Sequence, residues 1–186
     1  MNRVHNERPE QTGARDELAS LCEGFFDNLA WLSNCELVVA DQIPPEIRRM
    51  LVHGEHMTAT LKRHYQQPVA LRVLDHHTDG ETYRRKILLT VDEGKRVVEF
   101  GIVRMKFAAL DDAAREVVLS RETPLGEIFE RFDVLTKVEP RGYLRFTSDT
   151  PIVQCFGPAT AAAYGRLGVI HCNGEPAVEL LEVVPA

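Results

Sequence analysis

The residues whose types can do chemistry are a handful of histidines, cysteines, arginines and carboxylates, and their spacing narrows what that chemistry is. His53 and His56 lie three residues apart with Glu55 between them. On a helix that spacing shares one face, but two imidazoles without a third ligand do not complete a zinc-type site, so they read as solvated or core-edge residues and no metal is expected. His76 and His77 precede the turn Thr78-Asp79-Gly80. Neighbouring strand residues point to opposite faces, so the two cannot serve one metal or one substrate. The same geometry separates His171 from Cys172, which leaves the thiol without a base and makes Cys172 a small buried hydrophobe. The sequence has no P-loop, no GxGxxG after a strand, no GxSxG and no HExxH.

Four segments carry more when taken together: GEHMTATLKRHY, YRRKILL, ETPLGEIF and NGEPAVELLEVVP. In that order and at comparable spacing they resemble the chorismate lyase family, enzymes that split chorismate into 4-hydroxybenzoate and pyruvate. The resemblance spans roughly residues 51–186. It implies an α+β fold, a single antiparallel β-sheet with helices packed on it, around an internal ligand site. It also implies that a ligand carboxylate is held by the guanidinium of Arg85 and by backbone N–H groups at Met57 and Leu125, the positions matching the helix-start Met-Thr and the Pro-Leu-Gly of the family. The chemistry is sound: a guanidinium offers a planar two-donor fork, and helix-start amides add donors that need no side chain. Read without the family, Arg85 is a strand arginine paired with a surface carboxylate. Arg84 must face the opposite side of its strand.

The family also places a carboxylate on the last strand, at the ring oxygen opposite the ligand carboxylate. Eight residues on from Gly174 stands Glu182, which fits one branch of the family, whereas the seven-residue count of another branch lands on Leu181. Glu179 is a second candidate, of opposite strand parity, and Glu182 is taken as the inward residue. Where some relatives have Gly-Arg, this chain has Gly101-Ile102, and Arg104, two residues on, is expected to substitute as a binding cation. The resemblance thus implies Arg85 and Glu182 as catalytic residues and Met57, Arg85, Leu125 and Arg104 as binding residues. In the lyase reading the enolpyruvyl ether is eliminated as the ring becomes aromatic, with Glu182 exchanging a proton and without a cofactor. The alternative is a non-catalytic binding or sensor domain for a small aromatic carboxylate, since the same fold serves transcription regulators, although no DNA-binding helix pair is recognisable ahead of it. The partner in either case is a small aromatic or cyclohexadienyl carboxylate.

The elements that must position these residues follow from pattern. ELASLCEGFFDNLAWL carries Leu18, Leu21, Phe25, Leu29 and Leu32 at helical steps, and IPPEIRRMLVHGEHMTATLKRHY reads as short helices interrupted near Gly54. Turn signals at Thr78-Asp79-Gly80, Asp92-Glu93-Gly94 and Asn173-Gly174 each join two strand-like runs, and the outgoing strand KRVVEFGIVRMKF alternates as a half-buried strand does. LDDAAREVVLS and TPLGEIFERF read as helices, the second with Thr123 as N-cap and Pro124 at the first helical position, and strand-like sequence resumes after Pro140.

Composition bounds the rest. A chain of 186 residues that is 44% hydrophobic and 27% charged suits one domain, expected over residues 16–186 behind a polar, disordered tail of residues 1–15. A net charge of -6 argues against a nucleic-acid or anionic membrane surface. Four dispersed cysteines and no apolar run long enough to span a bilayer give the expectation of a soluble, cytoplasmic protein with reduced thiols.

Overall fold

The turns build the sheet. In the computed structural model, which describes residues 9–186, strands β2 (Ala70–Thr78), β3 (Thr82–Val91) and β4 (Arg96–Lys106) form two successive hairpins. Strands β6 (Ala162–Cys172) and β7 (Glu175–Pro185) form a third around Asn173 and Gly174, both at positive φ (53° and 91°), as a two-residue type I′ turn requires. β7 pairs with β4, which joins the two halves into one seven-stranded antiparallel sheet of order β1-β5-β6-β7-β4-β3-β2, with β1 at Cys35–Val38 and β5 at Thr136–Thr147.

Helices cover both faces. Helix α1 (Pro9–Cys22) lays Leu18 and Leu21 against Ile102, Leu181 and Val183 on one face. On the other, α2 (Pro45–Leu51) and α3 (Met57–Tyr65) pack over Ile87 and Leu89, and α4 (Asp112–Ser120) and α5 (Leu125–Arg131) pack over Tyr83, Met105 and Leu180. A one-turn helix, α6 (Pro151–Gln154), follows β5. No helix among the described residues is long and apolar enough to cross a membrane.

Several boundaries differ from the sequence reading, each for a local reason. α1 begins at Pro9 rather than Asp16, with proline at the start where a missing N–H costs nothing, so only residues 1–8 of the expected tail lie outside the described residues. It ends at Cys22 because Gly24 turns to φ 81°, and Phe25, Leu29 and Leu32 are then placed by a turn and a short 3-10 helix instead of a continued α-helix. α5 begins at Leu125: Pro124 is extended (φ -58°, ψ 143°) and, as N-cap in place of Thr123, accepts the first helical hydrogen bonds on its carbonyl. β5 runs through Pro140, whose absent N–H falls at a bulge between Pro140 and Gly142. β4 is not half buried: it lies between β3 and β7, and Val98 to Ile102 are buried on both faces.

Candidate functional site

The register of the central strands puts alternate residues of β3 and β4 under the ends of two helices. Arg85, Ile87 and Leu89 of β3 and Glu99, Gly101 and Val103 of β4 face the same way, toward the N-termini of α3 and α5. Between sheet and helices lies a cavity of about 50 Å³. One water needs roughly 10–15 Å³, so the cavity is large enough for a small organic group. Gly101 forms the floor: an added Cβ would stand 3.0 Å from Cγ1 of Ile87 and 3.2 Å from its Cδ1. Gly126, in the first turn of α5, lets the two helix starts close on each other, since its Cβ would stand 3.1 Å from that of His56. Neither helix start has a side-chain cap hydrogen bond, so the first amides of each are without a side-chain acceptor, and the first residues of both helices line this cavity.

Met57, Arg85, Leu125 and Glu182 all line this one cavity. Arg85 is 2% exposed, and its Nη1 has no hydrogen-bond partner among the described residues. Burial lowers its affinity for the proton below the ordinary arginine value, partly offset by the neighbouring Tyr83 hydroxyl. A buried guanidinium with a donor unused is the costly arrangement that a ligand anion would relieve.

Glu182 sits opposite Gly101 on one side and Arg166 of β6 on the other. Arg166 is fully buried and donates through Nε to Glu182 Oε2 at 2.6 Å. Its other donors reach the carbonyls of Leu51 (3.3 Å), His53 (2.9 Å) and Glu55 (3.0 Å), so the link between α2 and α3 is tied to the sheet by one side chain. Arg166 also contacts Nδ1 of His53, which makes that nitrogen the acceptor and leaves Nε2 to donate to the Met50 carbonyl at 2.5 Å. His53 is accordingly a neutral spacer, held below the ordinary imidazole pKa first by burial and then by Arg166.

His56 turns to Thr136 Oγ1 at 2.8 Å, and burial lowers its pKa too. The adjacent-residue pairs diverge as their strands require: His77 packs on Phe25 while His76 meets Arg121, and His171 joins Glu139 at 3.1 Å while Cys172 is buried, its thiol pushed up to about 11.

Glu99 was missed in the sequence and stands inside the cavity wall. It is 2% exposed, and its Oε2 has no partner among the described residues. Burial first, then the nearby Glu182, raise its pKa well above the ordinary 4.5, with Arg166 opposing. The available signal was a lone acid in the apolar run VVEFGIV, and for Arg166 a lone base in AAYGRLGVI.

Arg104 is a correction. It shares a face with Ile102, as expected, but that face fronts α1 and not the cavity. Arg104 pairs with Glu179, directly opposite it on β7, and donates to Ser20 Oγ at 2.9 Å. Glu179 therefore turns away from the site along with it, and Glu182, of opposite parity, is the carboxylate of the last strand that reaches the cavity. Arg84 likewise faces α1, donating to the carbonyls of its last turn.

No family model matches the sequence, and no curated protein matches it. Among solved structures it is similar to PhnF from Mycobacterium smegmatis, with a TM-score of 0.52 at 10% identity over 74% of this chain and 67% of that one. The effector domain of the same protein matches at 11% identity and a TM-score of 0.46 over 70% of this chain and 88% of the other. The ligand-binding domain of a protein assigned to the GntR-family transcriptional regulators, from Bordetella bronchiseptica, matches at 13% and 0.43 over 62% and 85%. Likeness at such identities is likeness of fold. The fold is the single-sheet, α+β chorismate lyase-like one that the sequence led us to expect.

Proposed function

We propose that this chain is a non-catalytic small-molecule binding domain whose ligand is an organic monocarboxylate, of the size of one aromatic ring, held by Arg85 and by the first amides of α3 and α5 at Met57 and Leu125. The observation that carries the reading is the Arg85 guanidinium, buried in the cavity wall with Nη1 unpartnered among the described residues. A carboxylate there completes a charge-assisted hydrogen bond where the protein has already met the cost of desolvating the cation. In this reading the domain needs no cofactor, works in the cytoplasm and, at a net charge of -6, makes no nucleic-acid contact itself.

Elimination of pyruvate from chorismate is the second reading, favoured by the position of Glu182 on the cavity. Two features weigh against it. Glu182 is held by Arg166, and with Arg104 on the other face, Arg85 is the one cavity cation among the described residues left for a substrate with two carboxylates. Calorimetry with benzoate tests the first reading: Arg85→Ala should weaken binding by about 2 kcal/mol, roughly thirtyfold, the scale of a lost buried charged partner. Unchanged affinity in a folded variant refutes it. Pyruvate release from chorismate above the uncatalysed rate, read by coupled lactate dehydrogenase, would restore the lyase.

A further inference from the structure

We propose that Glu99 is a specificity-determining residue of this site, a carboxylic acid that donates a hydrogen bond to an uncharged oxygen, hydroxyl or ketone, at the end of the ligand remote from its carboxylate. The inference rests on the reading of Arg85 as the carboxylate anchor.

Three observations place Glu99 there. It lines the cavity, is 2% exposed, and has an unpartnered Oε2 among the described residues. Its Oε1 lies 3.4 Å from where a Cβ on Gly101 would stand, so the carboxyl group reaches over the glycine floor toward the row that holds Glu182. And among the described residues it has no cation to itself. The charged groups that face it are Glu182 from β7 and Arg166 from β6, and Arg166 is engaged by Glu182 and by the carbonyls of Leu51, His53 and Glu55. A second buried negative charge beside Glu182 would have only the already engaged Arg166 to offset it among the described residues, so Glu99 keeps its proton.

The register sets the distance between the two ends. Arg85 stands opposite Val103, and Leu89 opposite Glu99. Four residues of strand separate those rows, about 13 Å at roughly 3.3 Å per residue, which a six-membered ring with a polar atom at each end fills once both side chains have reached inward. The chemistry at the Glu99 end is selective. A protonated acid offers one donor, and Glu182 beside it offers an acceptor, so a hydroxyl is read from both sides and a ketone from one. A second carboxylate would meet Glu182, already paired with Arg166, and no further cation among the described residues, so dicarboxylates are rejected.

The probes are 4-hydroxybenzoate, benzoate and terephthalate, titrated by calorimetry into the intact chain and into Glu99→Gln and Glu99→Leu. The wild type should bind 4-hydroxybenzoate at least tenfold tighter than benzoate, about 1.4 kcal/mol, and terephthalate at least tenfold more weakly than benzoate. Glu99→Gln keeps an N–H donor and should keep the preference for the hydroxyl. Glu99→Leu should bind benzoate and lose that preference to within about threefold. Infrared difference spectra at neutral pH should show the C=O stretch of a protonated carboxylic acid in the wild type that Glu99→Gln lacks, a readout independent of any ligand. A hydroxyl preference that survives in Glu99→Leu, equal binding of the two monoacids by the wild type, or absence of the infrared band overturns the role of Glu99 while leaving the anchor intact. Failure of the wild type to bind benzoate, or equal binding by Arg85→Ala, overturns the anchor and this inference with it.

Discussion

Arg166 is the side chain on which the position of the site depends, and replacing it by methionine separates positioning from contact. Arg166 reaches Glu182 at 2.6 Å and three carbonyls of residues 51–55 at 2.9 to 3.3 Å, and it is fully buried. Methionine keeps most of the volume, so the cost is electrostatic: a Glu182 side chain only 12% exposed is left without its cation, and three carbonyls lose their donor. Breaking a buried pair from one side costs about 3–5 kcal/mol, and water that follows the cavity inward restores part of the carbonyl loss, which gives about 4 kcal/mol for Arg166→Met. At about 2–4 °C per kcal/mol for a chain of this length, the melting temperature falls by on the order of 10 °C. Urea denaturation should show the midpoint moving with the slope unchanged. Removing the stranded charge as well, in the double variant Arg166→Met, Glu182→Met, should return at least about 1.5 kcal/mol of the loss, because what is costly is the unpaired carboxylate. Benzoate affinity should fall in both variants, since the link released from the sheet is the one that leads into the start of α3. A single-variant cost below about 1 kcal/mol, or additive effects in the cycle, would refute the hub.

Two further outcomes follow from the cavity wall. The raised pKa of Glu99 means that the folded chain holds a proton which the unfolded chain releases above about pH 4.5, so stability is fully present below that pH and declines as pH rises toward the folded value; denaturation at pH 5 and pH 8 should show the wild type losing stability relative to Glu99→Gln, and parallel curves would contradict it. Arg85→Met, measured without ligand, should be as stable as the wild type or more stable by about 1 kcal/mol, because it removes a buried cation lacking a full set of partners among the described residues, while benzoate binding weakens by roughly thirtyfold as in Arg85→Ala.

The turns were legible because their chemistry is local. Asn173-Gly174 is a favoured hairpin pair and Gly94 closes the Asp92-Glu93-Gly94 turn, and all five residues take positive φ here, so the strands they join could be written down from sequence. Met57, Arg85, Leu125 and Glu182 could be assembled only through the family resemblance, and they do converge on one cavity. Arg104 shows what parity cannot supply. That it shares a face with Ile102 follows from strand geometry, whereas the identity of that face depends on α1 packing against it, a long-range contact with no sequence signature at Arg104. Glu99 was hidden for a related reason: an acid in a strand read as half buried is expected to face water, and only the pairing of β4 with both β3 and β7, under helices on both sides, makes the position fully enclosed.

The two buried arginines of the sheet then divide the labour in a way that explains why one of them is available. Each would be a liability alone, since an enclosed guanidinium costs several kcal/mol if its donors and its charge go unmet. Arg166 is met inside the protein: one carboxylate neutralises it and three carbonyls and an imidazole take up its donors. Arg85, on the far side of the cavity, is packed as tightly but has neither a carboxylate partner nor a full set of acceptors among the described residues. The acids nearest the cavity do not supply one, because Glu182 is already claimed by Arg166 and Glu99 holds its proton. The unmet charge on Arg85 is thus preserved by the arrangement of the other three groups, and in the proposed reading an anion from outside completes it.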